Sequence, residues 1–90
     1  MLTVTITGPV SHLCPFVDEV DLGEIVITAP QDGEVIELHG LRSFLASFHA
    51  MRITHEELTA KVAERYPWAR ITTRWLTAGL TIECEAQPSA

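Results

Sequence analysis

The chain has 90 residues, of which 47% are hydrophobic and 20% charged, a composition that indicates a single globular domain over 1–90 and excludes a disordered chain. Its formal net charge is −6 with one lysine, so no basic cluster is available to neutralise a row of phosphates, which argues against tight binding to tRNA or DNA. No apolar run approaches the roughly 18 residues of a membrane span, and the first residues lack the features of a signal peptide, so we expect a cytoplasmic protein.

Apolar and polar residues alternate near both ends of the chain, which predicts strands, and two stretches between them have helical spacing. The second helical stretch opens at Thr54, with Glu57 three residues later, which is the pattern of a capping box. The predicted elements in chain order are a strand over 2–7 ended by Gly8-Pro9, a strand over 24–29, a turn at 31–33, an extended piece over 34–39, helices over 41–48 and 54–66, and strands over 71–76 and 80–86.

This order, ββααββ, predicts an α+β fold in which two helices cover one face of a four-stranded antiparallel sheet. Such a sheet leaves two open edges and one bare face. Joining edges between subunits would close the sheet into a barrel and protect the edges. We therefore expect a homo-oligomer, with a pocket at the junction between subunits.

The connection between the first two predicted strands, residues 11–21, is longer than an ordinary hairpin turn. It carries Cys14, then a proline, then three acidic residues that end at Asp21. A thiol and a carboxyl group seven residues apart fit a nucleophile and a proton donor. From these residues alone, the simpler interpretation is a free cysteine packed as a small hydrophobe beside a solvated acidic turn.

Two further patterns bear on chemistry. His55 and Glu56 fall in the first turn of the second predicted helix, where acidic residues commonly complement the helix dipole. Their functional interpretation is that Glu56 accepts two hydrogen bonds from a guanine-like base while His55 orients the substrate or shuttles a proton. His12, Cys14 and Asp18 could instead ligate zinc, although this spacing lacks a second close pair of ligands.

Several of these stretches together resemble the QueF family, whose patterns read SLCPxTGQPDF, ESKSLKLY and SFRNHGxFHE. The matching residues are Leu13-Cys14-Pro15, Asp21-Leu22, Glu37, Ser47-Phe48 and His55-Glu56. The resemblance implies the tunnelling fold (T-fold), an oligomeric barrel built from ββααββ subunits. It also implies action on the nitrile of 7-cyano-7-deazaguanine.

Carried over by position, the resemblance implies a covalent mechanism. Cys14 would add to the nitrile carbon to give a thioimide, Asp21 would protonate the nitrogen, and His55 would assist later proton transfers. Glu56 and Glu37 would bind the substrate. In the family's reductases, NADPH then delivers two hydrides and gives the aminomethyl product.

The cofactor segment departs from the family pattern, since the two lysines of ESKSLKLY are replaced by His39 and Arg42. These two residues are therefore the candidates for binding NADPH. The family's PRGG turn before the last strand is replaced by Thr77-Ala78-Gly79. The related QueF-like amidinotransferases lack the cofactor motif and resolve the thioimide with ammonia, so amidine formation is an alternative. A T-fold subunit that binds a purine without catalysis is a third.

Overall fold

The computed structural model describes residues 2–30, 32 and 34–89, in which four strands and two helices follow the predicted order. The strands form one antiparallel sheet in the order β1-β2-β3-β4, so β1 and β4 are its edges. None of the helices in these residues is long and apolar enough to cross a membrane. The elements are β1 (Thr3–Leu13), β2 (Val20–Pro30), α1 (Leu38–Ala46), α2 (His55–Arg65), β3 (Arg70–Thr77) and β4 (Leu80–Ala86).

The hairpin of β1 and β2 is longer than predicted. Gly8 and Pro9 were expected to end the first strand, but they lie inside β1, where Pro9 pairs with Glu24. A proline is tolerated here because β1 is an edge strand, on which one side of the backbone needs no sheet partner. The strand β2 likewise begins at Val20 and not at residue 24, so the connection shrinks to residues 14–19 and Asp21 becomes a strand residue.

The segment before α1 also differs from the prediction. Residues 34–39 were expected to be extended, but α1 begins at Leu38, because the Glu37 carboxylate caps it by accepting the backbone N–H groups of His39 (3.0 Å) and Gly40 (2.6 Å). The helix ends at Ala46, two residues earlier than predicted. In the turn predicted at 31–33, residues 31 and 33 lie outside the described residues.

The second half of the chain follows the prediction closely. Thr54 caps α2 by accepting the backbone N–H of Glu57 at 3.1 Å, and its hydroxyl donates to the Glu57 carboxylate at 3.2 Å. The helix ends just before Tyr66, which precedes Pro67, as expected from the restriction that proline places on the residue before it. The strands β3 and β4 agree with prediction to within one residue at each end.

The core lies between the two helices and one face of the sheet. Every second residue of β2 and β3 points into it, and the burial of each large aliphatic side chain contributes about 1.5–3 kcal/mol. The opposite face carries the exposed Leu22 and Leu76 together with an Arg74–Glu83 ion pair. The expected bare face is therefore present, and barrel closure stays a prediction. The fully buried side chains include Ile25, Ile27, Leu58, Val62, Ile71 and Trp75.

Candidate functional site

The β1–β2 ladder places two polar residues of the loop region side by side on the helix-covered face. His12 and Asp21 are paired across the two strands, with 0% and 6% of their surfaces exposed. Both follow the inward alternation of the strands, in register with the buried Val10. The pairing arises only because β1 and β2 extend past their predicted ends.

The end of β1 also positions the start of α2. The Leu13 N–H donates to the Met51 carbonyl at 2.9 Å, and Leu13 forms a short parallel bridge with Arg52. The chain then reaches the Thr54 cap, and His55 is the first residue of α2. This backbone link brings two residues 43 positions apart into contact, since His12 Nε2 and His55 Nδ1 lie 2.8 Å apart.

A threonine of β3 completes the polar cluster. Thr77 Oγ1 lies 3.1 Å from His55 Nε2 and 3.4 Å from Asp21 Oδ1, so it bridges the imidazole and the carboxylate. His12 Nε2 is 3.9 Å from the other carboxylate oxygen of Asp21. We call His12, Asp21, His55 and Thr77 the polar cluster. Sequence reasoning chose Asp21 and His55 and missed Thr77, which no motif marks.

An indole forms the floor of the polar cluster. Trp75 stacks on the His55 ring with centroids 4.5 Å apart and an angle of 16° between the planes, and it meets the His12 ring edge-on at 4.8 Å. Its Nε1–H donates to Thr73 Oγ1 at 2.9 Å, which fixes the indole. Trp75 is a core residue, with 1% exposed, and it also sets the orientation of the two imidazoles.

This environment lowers the pKa of His55. Partial burial is the largest cause, because it disfavours the charged imidazolium, and the neighbouring His12 lowers the pKa further. The charges of Asp21 and Glu56 act in the opposite direction. The result favours the neutral imidazole, which can accept a proton.

Cys14 follows directly after β1 and is buried, with 6% exposed. Its N–H donates to the Glu19 carbonyl at 2.9 Å, which closes the loop over residues 14–19. Its carbonyl accepts from Arg52 Nη1 at 3.1 Å, and Arg52 Nη2 also donates to Asp18 at 2.6 Å. Arg52 therefore anchors the cysteine loop, a role that sequence reasoning missed.

The other predicted site residues lie apart from the polar cluster. Glu56 is exposed in the first turn of α2, next to His55. Glu37 caps α1 and also holds His39 Nδ1 at 2.9 Å, with both side chains exposed. Among the described residues, no hydrogen bond or ion pair links Glu37, His39 or Arg42 to the polar cluster.

Arg42 lines a groove of about 680 Å³ between α1 and the edge of the sheet. The groove is within the usual size of small-molecule sites. Cys14, Asp21 and His55 do not line it, although Ser11 and Leu22, which are neighbours of His12 and Asp21, do. Its lining is otherwise mainly apolar and includes Val10, Leu38, Leu41 and Leu45.

The zinc set that the sequence left open is not assembled. Asp18 is exposed and paired with Arg52, whereas the donor atoms of His12, Asp21 and His55 lie within 4.8 Å of one another. The 2.8 Å between the two imidazole nitrogens is shorter than the roughly 3.3 Å that separates nitrogen ligands on a tetrahedral zinc ion. The observed arrangement is that of a hydrogen-bonded pair.

The relatives of known sequence that this chain matches share one name. The chain is 34% identical over 83 residues to the NADPH-dependent 7-cyano-7-deazaguanine reductase of Sinorhizobium fredii, and the alignment covers 84% of this chain and 54% of that protein. The reductase of Sinorhizobium medicae is 32% identical over the same shares. That of Thermotoga maritima is 34% identical over 59 residues, which cover 64% of this chain and 43% of that protein. No family model matches the chain.

The fold has a solved counterpart. A crystal structure of the archaeosine synthase QueF-Like in the apo form matches with a TM-score of 0.88 and 21% identity, over 98% of this chain and 95% of that one. This match confirms the T-fold architecture of a subunit. The chain spans about half the length of the curated reductases that it matches. The relatives, the fold and the motifs that first indicated the relationship all support membership of the QueF family.

Proposed function

We propose that this protein is a nitrile-converting enzyme of 7-deazaguanine metabolism that forms a covalent thioimide between Cys14 and 7-cyano-7-deazaguanine. The observation that carries the proposal is the buried pairing of His12 and Asp21, with His55 hydrogen-bonded to His12, at the base of the loop that begins with Cys14. The family relationship supplies the substrate. The position of Cys14, buried and two residues after His12 in the chain, supports its role as the nucleophile.

In the proposed first step, the Cys14 sulfur attacks the nitrile carbon and a C–S bond forms. One π-bond of the nitrile breaks, and its electron pair moves to the nitrogen, which takes a proton from Asp21. The proton that the nitrogen gains balances the one that the thiol loses, so the thioimide forms without a further reactant. His55 then exchanges protons with Asp21 through Thr77. Glu56 and Glu37 would bind the base, with Glu56 next to His55.

The first candidate for the second step is reduction to 7-aminomethyl-7-deazaguanine, because the curated relatives are named NADPH-dependent. The groove beside α1 has the size for part of a nucleotide, and Arg42 supplies a cation for a phosphate. His39 Nδ1–H donates to the Glu37 carboxylate, so the other ring nitrogen can donate to a phosphate only when the imidazole is protonated. When bound, NADPH would supply one hydride, so two NADPH molecules in turn would be needed to reduce the nitrile-derived carbon to the aminomethyl level.

Amidine formation with ammonia is the second candidate. It is favoured by the solved neighbour named as an archaeosine synthase, which matches this chain over nearly its full length. The groove also favours amidine formation. Arg42 is the one cation among its described lining residues, so the groove offers little to bind the phosphates of NADPH. Ammonia would displace the Cys14 thiolate from the thioimide carbon and leave an amidine, with no net oxidation or reduction.

The test begins with the first step, which both candidates share. The protein is incubated with 7-cyano-7-deazaguanine, and the intact mass is measured for the wild type, Cys14→Ala and Cys84→Ala. We expect an adduct with the full mass of the substrate in the wild type and in Cys84→Ala, but not in Cys14→Ala. Absence of the adduct in the wild type would refute both proposed enzyme activities. Retained binding without an adduct would indicate the purine-binding subunit.

The second step is tested on the preformed adduct. NADPH and ammonium are added in separate reactions, and the products are identified by mass. Oxidation of NADPH with the aminomethyl product supports the reductase. An amidine formed without NADPH refutes the reductase and supports the second candidate.

We also propose that the subunits assemble through the open edges β1 and β4 and that the substrate is the free base. The exposed apolar residues on the bare sheet face would line the interior of such a barrel. The net charge of −6 disfavours tRNA as a partner. Sedimentation velocity tests the first proposal, since a monomer at micromolar concentration would contradict it.

A further inference from the structure

We propose that His12 is a positioning residue that fixes the tautomer of His55, so that the Nε2 atom of His55, on the side of Thr77 and Asp21, carries the lone pair. Its consequence for catalysis rests on the proposed function. The tautomer itself follows from hydrogen-bond geometry alone. His12 occupies the position of serine in the family pattern SLCP, so this role is a departure from that pattern.

His12 lies at the buried end of the polar cluster. His12 Nδ1 lies 2.9 Å from the Leu13 carbonyl oxygen. A carbonyl oxygen only accepts hydrogen bonds, so Nδ1 must carry the proton. The His12 ring is fully buried and meets Trp75 edge-on, and in this orientation Nδ1 faces the Leu13 carbonyl. A neutral His12 therefore presents a lone pair at Nε2.

That lone pair faces His55. The 2.8 Å between His12 Nε2 and His55 Nδ1 requires one proton between the two nitrogens. Because His12 Nε2 is the acceptor, the proton belongs to His55 Nδ1. A neutral His55 then has its own lone pair at Nε2, which lies 3.1 Å from the Thr77 hydroxyl.

The fixed tautomer connects His55 to Asp21. Thr77 has one hydroxyl proton, which it can donate to His55 Nε2 or to Asp21 Oδ1 at 3.4 Å. When His55 Nε2 takes up a proton, the imidazolium donates to both His12 and Thr77, and Thr77 donates to Asp21. One proton is thereby held next to the carboxylate that must protonate the substrate nitrogen.

The charged and titratable groups around the two rings are few. His12 faces His55 from β1, Asp21 faces both rings from β2, and Glu56 acts on His55 from its own helix. Thr77 and Trp75 complete the surroundings from β3 and carry no charge at neutral pH. The protonation of His55 therefore depends first on its burial and, among neighbouring groups, mainly on His12 and Asp21.

The test compares His12→Ser, which restores the residue of the family pattern, with His12→Gln, whose amide oxygen can still accept from His55. His49→Gln is the control, because His49 lies exposed in the turn after α1 and bonds only to Ser11 among the described residues. The tautomer is read by nitrogen-15 NMR of the imidazole rings without substrate, with the His55 signals assigned from a His55→Gln variant.

We expect His55 to carry its proton on Nδ1 in the wild type, in His12→Gln and in His49→Gln, and on Nε2 in His12→Ser. With substrate, His12→Ser should lower kcat by at least about tenfold with little change in KM, because a wrong tautomer impairs proton transfer and not binding. His12→Gln should recover most of this loss.

Three outcomes would overturn the inference. They are a proton on His55 Nε2 in the wild type, an unchanged tautomer in His12→Ser, and stoichiometric zinc that His12→Ser removes. If His12→Ser does not fold, His12→Leu takes its place, because leucine fills more of the space and likewise offers no acceptor to His55 Nδ1; a proton that stays on Nδ1 in His12→Leu would overturn the inference. If no Cys14 adduct forms in the wild type, the proposed function fails while the tautomer result stands.

Discussion

Arg52 Nη1 lies 3.1 Å from the carbonyl oxygen of Cys14, so a residue just before α2 anchors the loop that carries the candidate nucleophile. The same guanidinium binds Asp18 through Nη2 at 2.6 Å. These two bonds span the loop from its first residue to its fifth. The position of Cys14 is therefore set from both β1 and the segment before α2.

Arg52→Ala should slow formation of the Cys14 adduct several-fold while it changes stability little. Both partners of the Arg52–Asp18 pair are substantially exposed, and such pairs contribute about 0–1 kcal/mol. The loss in rate comes from freeing the loop, since two hydrogen bonds to it disappear. Rapid mixing followed by intact-mass measurement gives the rate, and thermal unfolding gives the stability.

The control for Arg52 is Arg74→Ala, which removes a comparable surface ion pair with Glu83 on the bare sheet face. It should leave the adduct rate close to that of the wild type. Equal effects of the two variants would contradict a specific role for Arg52 in the loop.

Gly23→Ala should destabilise the protein by about 1–3 kcal/mol, the usual cost of overpacking a core. A Cβ at this position would lie 2.5 Å from Trp75 Cε3 and 2.7 Å from the Arg74 carbonyl, and the backbone atom cannot move aside. Because Trp75 stacks on His55, the variant should also change the near-UV circular dichroism. Urea unfolding measures the change in free energy.

Gly8→Ala is the matched control in the neighbouring strand, where a Cβ would meet no atom within 4 Å. It should be neutral or slightly stabilising, because alanine has less conformational freedom than glycine in the unfolded chain. A loss of stability in Gly8→Ala as large as in Gly23→Ala would show that the close approach to Trp75 is not the cause.

Thr77→Val should lower kcat several-fold with the fold intact. Valine has nearly the same shape but cannot bridge His55 Nε2 and Asp21 Oδ1. The variant leaves the two groups without their proton link, so the steps that follow thioimide formation should slow more than adduct formation. Single-turnover kinetics separates these steps.

Thr72→Val, on the opposite face of the same strand, is the control for Thr77. Its hydroxyl makes only a long contact of 3.5 Å with Glu85. Its single-turnover rates should match those of the wild type. A Thr77→Val enzyme with wild-type rates in every step would rule out the bridge.

The stability of the protein should fall as the pH drops below about 6.5, the ordinary pKa of histidine. The pKa of His55 is lowered in the folded state, mainly by burial and then by His12, so below that pH the unfolded chain binds the proton more readily than the folded chain does. The contribution of His55 to the free energy of unfolding is present above this pH, and it is lost as the pH falls toward the pKa of His55 in the folded state.

Urea unfolding between pH 5 and pH 8 tests this dependence in the wild type and in His55→Gln. In His55→Gln, the free energy of unfolding should change less steeply with pH over this range. His49→Gln provides the comparison for removing an exposed histidine. Identical slopes in the wild type and in His55→Gln would contradict the lowered pKa.

The order of the elements could be read from the sequence because each signal for it is local. Alternation in the strands, helical spacing at Leu41 and Phe44, the Thr54 cap and the proline after Tyr66 all act within a few residues. The resemblance to the family motifs likewise marked Cys14, Asp21 and His55 as candidates, because these motifs are short and keep their spacing, and their roles stay predictions.

The contacts of the site were decided by the tertiary structure. Pro9 was expected to end a strand, but an edge position tolerates it, and the extension of β1 places His12 opposite Asp21. The bond from His12 to His55 joins residues 43 positions apart, and Thr77 comes from a third strand. Local sequence determined which residues could do chemistry. Only sheet register and helix packing, which depend on distant parts of the chain, determined that His12, Asp21, His55 and Thr77 form one hydrogen-bonded cluster.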